Sequence, residues 1–292
     1  MKNTQDNLTA GKILSLYLEE LGQKSSLYTV KGYKRDIKYF FEWFSHIENP
    51  HPENITSIDL REYQSYLRST KKQKPNSVNR KIKALKSFLK WCVEKNYAKR
   101  LPEFPPNIPQ VQSSPKSLER AEVNRLLREL EKEGNLRDIA LIRLMLSCGL
   151  RIAEAVSLRI SDLEIRERSG KVTVRSGKGG KYREVPLPLE ARKALIGWLE
   201  AHPGGEYLFP GKDGHITENA AWRVVKKYAY KAKIPDLTPH SLRHTCARNM
   251  IRAGVDLATV SSILGHSRLD TTAVYICPSF LDMEQALEKS EL

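Results

Sequence analysis

The 292 residues carry 49 Lys plus Arg against 34 Asp plus Glu, a formal charge of +15 with a pI near 9.6, which makes an anionic partner the first expectation. Hydrophobic residues at 40%, with four Trp, exclude a disordered chain, and the length suits two domains better than one. No stretch of ~18 uncharged apolar residues and no signal-like N-terminus occurs, so a cytoplasmic protein without a membrane span is expected.

In chain order, Leu14, Tyr17, Leu18 and Leu21, then Val30, Tyr33, Ile37, Phe40, Phe41 and Phe44, recur at helical spacing and predict two amphipathic helices. Leu60, Tyr63 and Leu67 mark a third. Val78, Ile82, Leu85, Leu89 and Cys92 mark a fourth. Residues 101–115, LPEFPPNIPQVQSSP, hold five of the fifteen prolines, a density that forbids continuous helix and reads as a linker. The expected organisation is a helical domain over 1–100, a linker over 101–116 and a second domain over 117–292.

Residues 1–112 carry 20 basic and 11 acidic side chains, and residues 113–292 carry 29 and 23, so both halves are basic. Within residues 68–100, twelve Lys or Arg meet a single acid, Glu94. A solvated face normally interleaves both signs, so this segment points to phosphate contact, with Arg80, Lys81, Lys83, Lys86 and Lys90 of the fourth helix as the candidate DNA-binding residues.

The second half mixes types. Val123, Leu126, Leu127 and Leu130 stripe one helix, and 139–146 reads as a buried one that Gly149 ends, with a new helix starting near Arg151. Residues 171–175 and 182–187 alternate like strands around the glycine-rich turn 177–180, and helical patterns resume from Leu189, around Trp222 and beyond Pro239. The fold class is therefore mainly α with a small β-sheet.

Five polar pieces stand out. Arg151 leaves a buried segment and needs either an anionic ligand or Glu154, three residues on. Lys178 tips the glycine-rich turn, which is not a Walker A loop because Tyr182 follows Gly180-Lys181. Thr238 and Pro239 suit a helix start that places His240 and Arg243 on one face. His240 and His244 have the spacing of a zinc helix, but Ser241 stands where H-E-x-x-H needs Glu, so no metal is expected and His244 reads as structural. His266 follows Leu264-Gly265, and Tyr275 lies nine residues beyond. Cys92, Cys148, Cys246 and Cys277 form no C-x-x-C pair, which suits a reducing compartment.

Taken in order, Arg151, Lys178, His240, Arg243, His266 and Tyr275 resemble the catalytic set of the tyrosine recombinases, the phage-integrase and Xer-type site-specific recombinases. The resemblance runs through GLRIAEAVSLRISDL, GKGGKYREVPLP, TPHSLRHTCARNM and LGHSRLDTTAVY, and the basic bundle with KPNSVNRKIKALKSFLKWC resembles the family's core-binding domain. Cys246 departs from the bulky apolar residue more usual after His-Thr, and Cys277 follows the tyrosine closely; neither removes a required group.

The resemblance implies a helical core-binding domain followed by a mixed α/β catalytic domain. It also implies strand cleavage by Tyr275 through a 3′-phosphotyrosyl intermediate, without ATP, metal or other cofactor. Arg151 and Arg243 match a phosphate through planar guanidinium forks. His240 and His266 would donate to its oxygens, His240 being the better acceptor of the tyrosine proton, and Lys178 would protonate the leaving 5′ oxygen. Glu154 is expected to support this network. The implied partner is double-stranded DNA with paired sites, bound by a homo-tetramer, possibly with a related recombinase or accessory protein. The 17 residues after Tyr275 resemble the family's protomer-docking tail, and no arm-binding domain precedes the bundle, which favours an Xer-like or resolvase-like system. The alternatives are a type IB topoisomerase, whose catalytic set is similar, and a non-catalytic DNA-binding protein.

Overall fold

Apolar residues recurring every three to four positions build the first of two compact units, Met1–Gln112, with Ser113–Leu292 forming the second. The computed structural model describes residues 9–45, 51–109, 116–175, 182–212 and 214–265. The expectations placed on Lys178, His266, Tyr275, Cys277 and the glycine-rich turn lie outside these residues.

Helices α1 (Ala10–Lys24), α2 (Leu27–Phe44), α3 (Ser57–Ser69) and α4 (Pro75–Glu94) make the first unit. Ser26 caps α2, a Thr56/Asp59 capping box starts α3, and Pro75 occupies the first turn of α4. The predicted stripes are the buried ones: Leu14 and Tyr17; Ile37, Phe40 and Phe44; Leu60, Tyr63 and Leu67; and Val78, Ile82, Leu85, Leu89 and Cys92. Asp36 is buried among them and accepts two hydrogen bonds from Arg80. A carboxylate in that position without its partner would be strongly destabilising.

Residues 101–109 have no regular structure, yet they pack onto this unit. Phe104 and Ile108 join its core, Gln64 donates to the Pro106 carbonyl at 3.0 Å, and the Asn79 side chain both donates to and accepts from Ile108 at 2.9 Å. Proline removes amide donors without removing apolar area or carbonyls. The segment therefore keeps enough of both to be held.

The second unit opens with α5 (Arg120–Glu133), α6 (Leu136–Cys148) and the short α7 (Ile152–Val156). Strands β1 (Leu163–Ile165), β2 (Gly170–Val174) and β3 (Arg183–Pro186) form an antiparallel sheet in that order, with Val172 opposite Leu163 and Val185, and Val174 opposite Arg183. Then follow α8 (Leu189–Glu200), a two-residue pair β4 (Pro210–Gly211) and β5 (Gly214–His215), α9 (Glu218–Lys231), α10 (Pro239–Arg252) and α11 (Leu257–Leu264). Helix α6 is buried nearly all round and packs on α8 and α10. It is the centre of the core.

Cys92, Cys148 and Cys246 are buried free thiols, and burial pushes the first two up to about 12 and Cys246 up to about 11. They stay protonated and chemically quiet. Among the described residues no helix is long and apolar enough to cross a membrane.

Candidate active site

Three local sequence features bring the polar residues together. Gly149, at φ +64°, ends α6 in the left-handed conformation and turns the chain so that Arg151 caps α7. Thr238 and Pro239 start α10, capping it through the Ser241 amide at 3.1 Å, and Arg243 then lies on its inward side at 1% exposure. Gly265, at φ +64°, closes α11.

Glu154 is the hub. Its Oε1 accepts from Arg151 Nη1 at 2.8 Å and from Arg183 Nη1 at 3.0 Å. Its Oε2 accepts from the Arg151 backbone amide and from Arg183 Nη2, both at 2.8 Å, with Arg243 Nη1 at 4.0 Å. Burial pushes this carboxyl up, but the hydrogen bonds from Arg183 and the Arg151 amide outweigh it and hold the group below the usual carboxylate range. Glu154 is therefore an anion at neutral pH.

The same three arginines take the carbonyls that α11 cannot satisfy internally. Arg183 Nε donates to Ile263 O at 2.9 Å, Arg243 Nη2 to Leu264 O at 2.6 Å and Arg151 Nη2 to Gly265 O at 3.2 Å, while Arg243 Nη1 reaches Gly149 O at 2.6 Å. Cationic groups suit a helix C-terminus because its unpaired carbonyls carry partial negative charge. Three guanidiniums against one carboxylate leave a fixed net charge of +2 on the cluster. Arg151 is the one among them with a substantially exposed side chain, at 41%.

His240 lies on the exposed side of α10, its ring meeting that of half-buried His244 edge-on at 4.3 Å. Crowding by the surrounding protein, and then the charges of Arg243 and Arg151, push its imidazole below the ordinary value. It is neutral at neutral pH and able to accept a proton.

Of the residues expected from sequence, Arg151, Glu154, Arg243 and His240 are thus brought together. Of the two partners expected for Arg151, Glu154 is the one observed, and the other edge of the guanidinium is exposed. Arg183 was missed. Its signal is parity: Arg183 and Val185 share the inward face of β3, and an arginine among inward residues needs a buried acid. Among the described residues no group of three or more His, Cys, Asp or Glu could hold a metal.

The basic helix α4 sorts into two kinds of residue. Arg80 is committed to Asp36, and Lys81 lies over the Tyr39 ring at 4.0 Å. Lys83, Lys86 and Lys90 are exposed along one stripe, with Lys86 5.7 Å above Phe104 and Lys90 3.9 Å from Glu94. Lys95 and Lys99 pair at 3.0 Å with Glu20 and Glu53, acids that lie far away in sequence.

A basic helical unit followed by an arginine-rich site fits a protein that acts on DNA, and the sequence comparisons give its family. Residues 116–280 match the phage integrase family and residues 14–96 match its N-terminal SAM-like domain. The chain belongs to the phage integrase family of tyrosine recombinases. It is 32% identical to tyrosine recombinase XerA of Pyrococcus furiosus, over 94% of this chain and 92% of that protein. The TnP I resolvase of Bacillus thuringiensis is 29% identical, over 96% of this chain and 99% of the resolvase. Among solved structures, XerH bound to a palindromic difH substrate in a post-cleavage complex superposes with a TM-score of 0.75 at 22% identity, covering 97% of this chain and 85% of XerH.

Proposed function

We propose that this tyrosine recombinase cuts and rejoins duplex DNA at paired recognition sites through a covalent 3′-phosphotyrosyl intermediate. The observation that carries the reading is the +2 arginine cluster around Glu154, set beside a neutral histidine. The Tyr275 oxygen attacks phosphorus, the new P–O bond to tyrosine forms, and the bond to the 5′ oxygen breaks. His240 takes the tyrosine proton, and Lys178 gives a proton to the departing oxygen. Arg151 faces the non-bridging oxygens with its exposed guanidinium, joined by His266. Arg243 supplies a buried charge whose field is little screened.

One phosphodiester-like bond replaces another, so a different 5′ hydroxyl can reverse the step without ATP. No metal or cofactor has a part in it. Lys83, Lys86 and Lys90 grip duplex phosphate, with Arg80 and Lys81 supporting that face. The working assembly is a tetramer in the cytoplasm, of this chain alone or with a related recombinase.

Footprinting on DNA flanking the protein's own gene identifies the recognition site, and a nicked suicide duplex carrying it then tests the chemistry. A covalent adduct should form with the wild type and vanish in Tyr275→Phe; an undiminished adduct in that variant removes Tyr275 from its role. For binding, Lys83→Gln and Lys86→Gln should each flatten the slope of log affinity against log salt by roughly one. Arg80→Gln should instead lower the melting temperature of the protein, because it leaves buried Asp36 with the more distant, exposed Arg35 at 3.7 Å. Unchanged slopes would return the two lysines to a merely solvated face.

A further inference from the structure

Arg183 is the one guanidinium of the cluster that neither the mechanism above nor the catalytic set uses, and all three of its nitrogens donate hydrogen bonds. It forms a two-pronged pair with Glu154 and a third bond to Ile263 O, and its side chain is only 16% exposed. A Cβ on Gly265 would lie 2.8 Å from its Nη1, so the end of α11 is shaped around it. Each of its three nitrogens already donates to Glu154 or to Ile263, so none of them is assigned to the phosphate. Its effect must pass through Glu154.

Glu154 accepts four hydrogen bonds, two per oxygen, which is the capacity of a carboxylate. Two of the four come from Arg183. With them in place, the carboxylate is neutralised from the side of β3. Arg151 is then free to make only one side-chain bond to it and to turn its remaining edge outward, and Arg243 stays at 4.0 Å. Remove them, and the same negative charge falls on the two arginines assigned to the phosphate, while the net charge of the cluster drops from +2 to +1.

We propose that Arg183 is a positioning residue of strand cleavage, a counter-ion that absorbs the charge of Glu154 so that Arg151 and Arg243 present theirs to the scissile phosphate. The proposal rests on the reaction assigned above. It predicts a charge effect rather than a contact effect. Protonating or neutralising Glu154 should therefore restore what loss of Arg183 removes.

The test measures adduct formation on the suicide duplex at saturating DNA, beside DNA affinity and thermal melting. Arg183→Gln should slow cleavage by about 10- to 100-fold, the range for losing an outer partner of a charged site, with affinity within about twofold. The ratio of its rate to that of the wild type should rise as pH falls from ~8 to ~6, because Glu154, without Arg183, protonates more readily. The charged groups facing Glu154 are Arg151 from its own helix, Arg183 from β3 and Arg243 from α10, with Arg159, Asp162, Arg175 and His215 along the adjoining cleft. Only Glu154 should produce the rise, so the double variant Glu154→Gln/Arg183→Gln should lose it and cleave about tenfold faster than Arg183→Gln.

A double variant no faster than the single one, a flat ratio, or a wild-type rate in Arg183→Gln would each overturn the proposal. Should Arg183→Gln fail to fold, Arg183→Lys keeps the charge without the fork. It should stay within about tenfold of the wild type, and collapse to the level of Tyr275→Phe would refute the counter-ion role. If the wild type itself forms no adduct, the reaction assignment falls and takes this proposal with it.

Discussion

Arg243→Ala is expected to abolish covalent capture of DNA and to destabilise the second unit by about 3–5 kcal/mol, the cost of stripping one partner from a buried charged network. The side chain is 1% exposed, bridges the carbonyls of Gly149 and Leu264, and stands 4.0 Å from Glu154. Its removal leaves two buried carbonyls short of a donor and takes a fixed positive charge from a poorly screened position. Arg243→Lys separates the two losses. A single ammonium cannot reproduce the planar fork that spans both carbonyls, yet it keeps the charge, so melting should recover more than cleavage. Denaturant titration and suicide-substrate trapping on the same samples give both numbers. Equal recovery of the two would mean that Arg243 acts on the reaction only by holding the fold.

Gly149→Ala should have the second large effect, although it adds a single methyl group. At φ +64° an alanine costs about 1–2 kcal/mol in backbone strain. Its Cβ would also lie 2.5 Å from Leu264 Cδ2 and 3.3 Å from Cys246 Sγ, so the buried Leu264 side chain must move and the packing of α10 against the end of α11 is disturbed. Together these predict a loss of about 2–4 kcal/mol. The displaced groups include the Leu264 and Gly149 carbonyls that orient Arg243, so cleavage should fall further than stability alone explains. Leu264→Ala opens the space the new methyl needs. The double variant Gly149→Ala/Leu264→Ala should therefore be more stable than the sum of the two single losses by about 1 kcal/mol, measured as a double-mutant cycle. Strict additivity would mean that the collision with Leu264 is not the source of the loss.

The helices of the first unit were legible because each has one wet side and one dry side, so apolar residues at three- and four-residue spacing name the buried face directly. Helix α6 was legible for the opposite reason: Ile139 to Leu146 is apolar on nearly all sides, Arg143 being the one charged residue in it. The glycine end of α11 was also readable, since Gly265 follows the last apolar residue. Strands β1, β4 and β5 were not, because two or three residues are too few to display a period. The proline-rich stretch misled in part. Phe104 and Ile108 are anchors, and composition alone does not tell an anchored segment from a loose one.

The site divides along a similar line. The ordered polar residues became recognisable as a set only through their resemblance to the recombinases. The distances among Arg151, Glu154, His240 and Arg243 then follow from where α7 and α10 begin and α11 ends. Charge counting was the weaker guide. It treated residues 68–100 as nearly unopposed, whereas Asp36, Glu20 and Glu53, all remote in sequence, are the acids that engage Arg80, Lys95 and Lys99. Arg183 escaped because it lies in a strand of four residues, where one inward cation looks like ordinary surface polarity until its acid is found.

The bonds that define the arginine cluster span long stretches of chain: 80 residues from Arg183 to Ile263, 94 from Arg243 to Gly149 and 114 from Arg151 to Gly265. Closing such loops carries an entropic penalty that only cooperative docking of several elements repays, so these contacts belong to the late events of folding. During synthesis the basic four-helix unit is complete long before α11 leaves the ribosome. A nascent or truncated chain ending short of α11 can carry the folded basic unit but no assembled arginine cluster. The order of the sequence itself thereby leaves the arginine cluster unbuilt until α11 is available to close it.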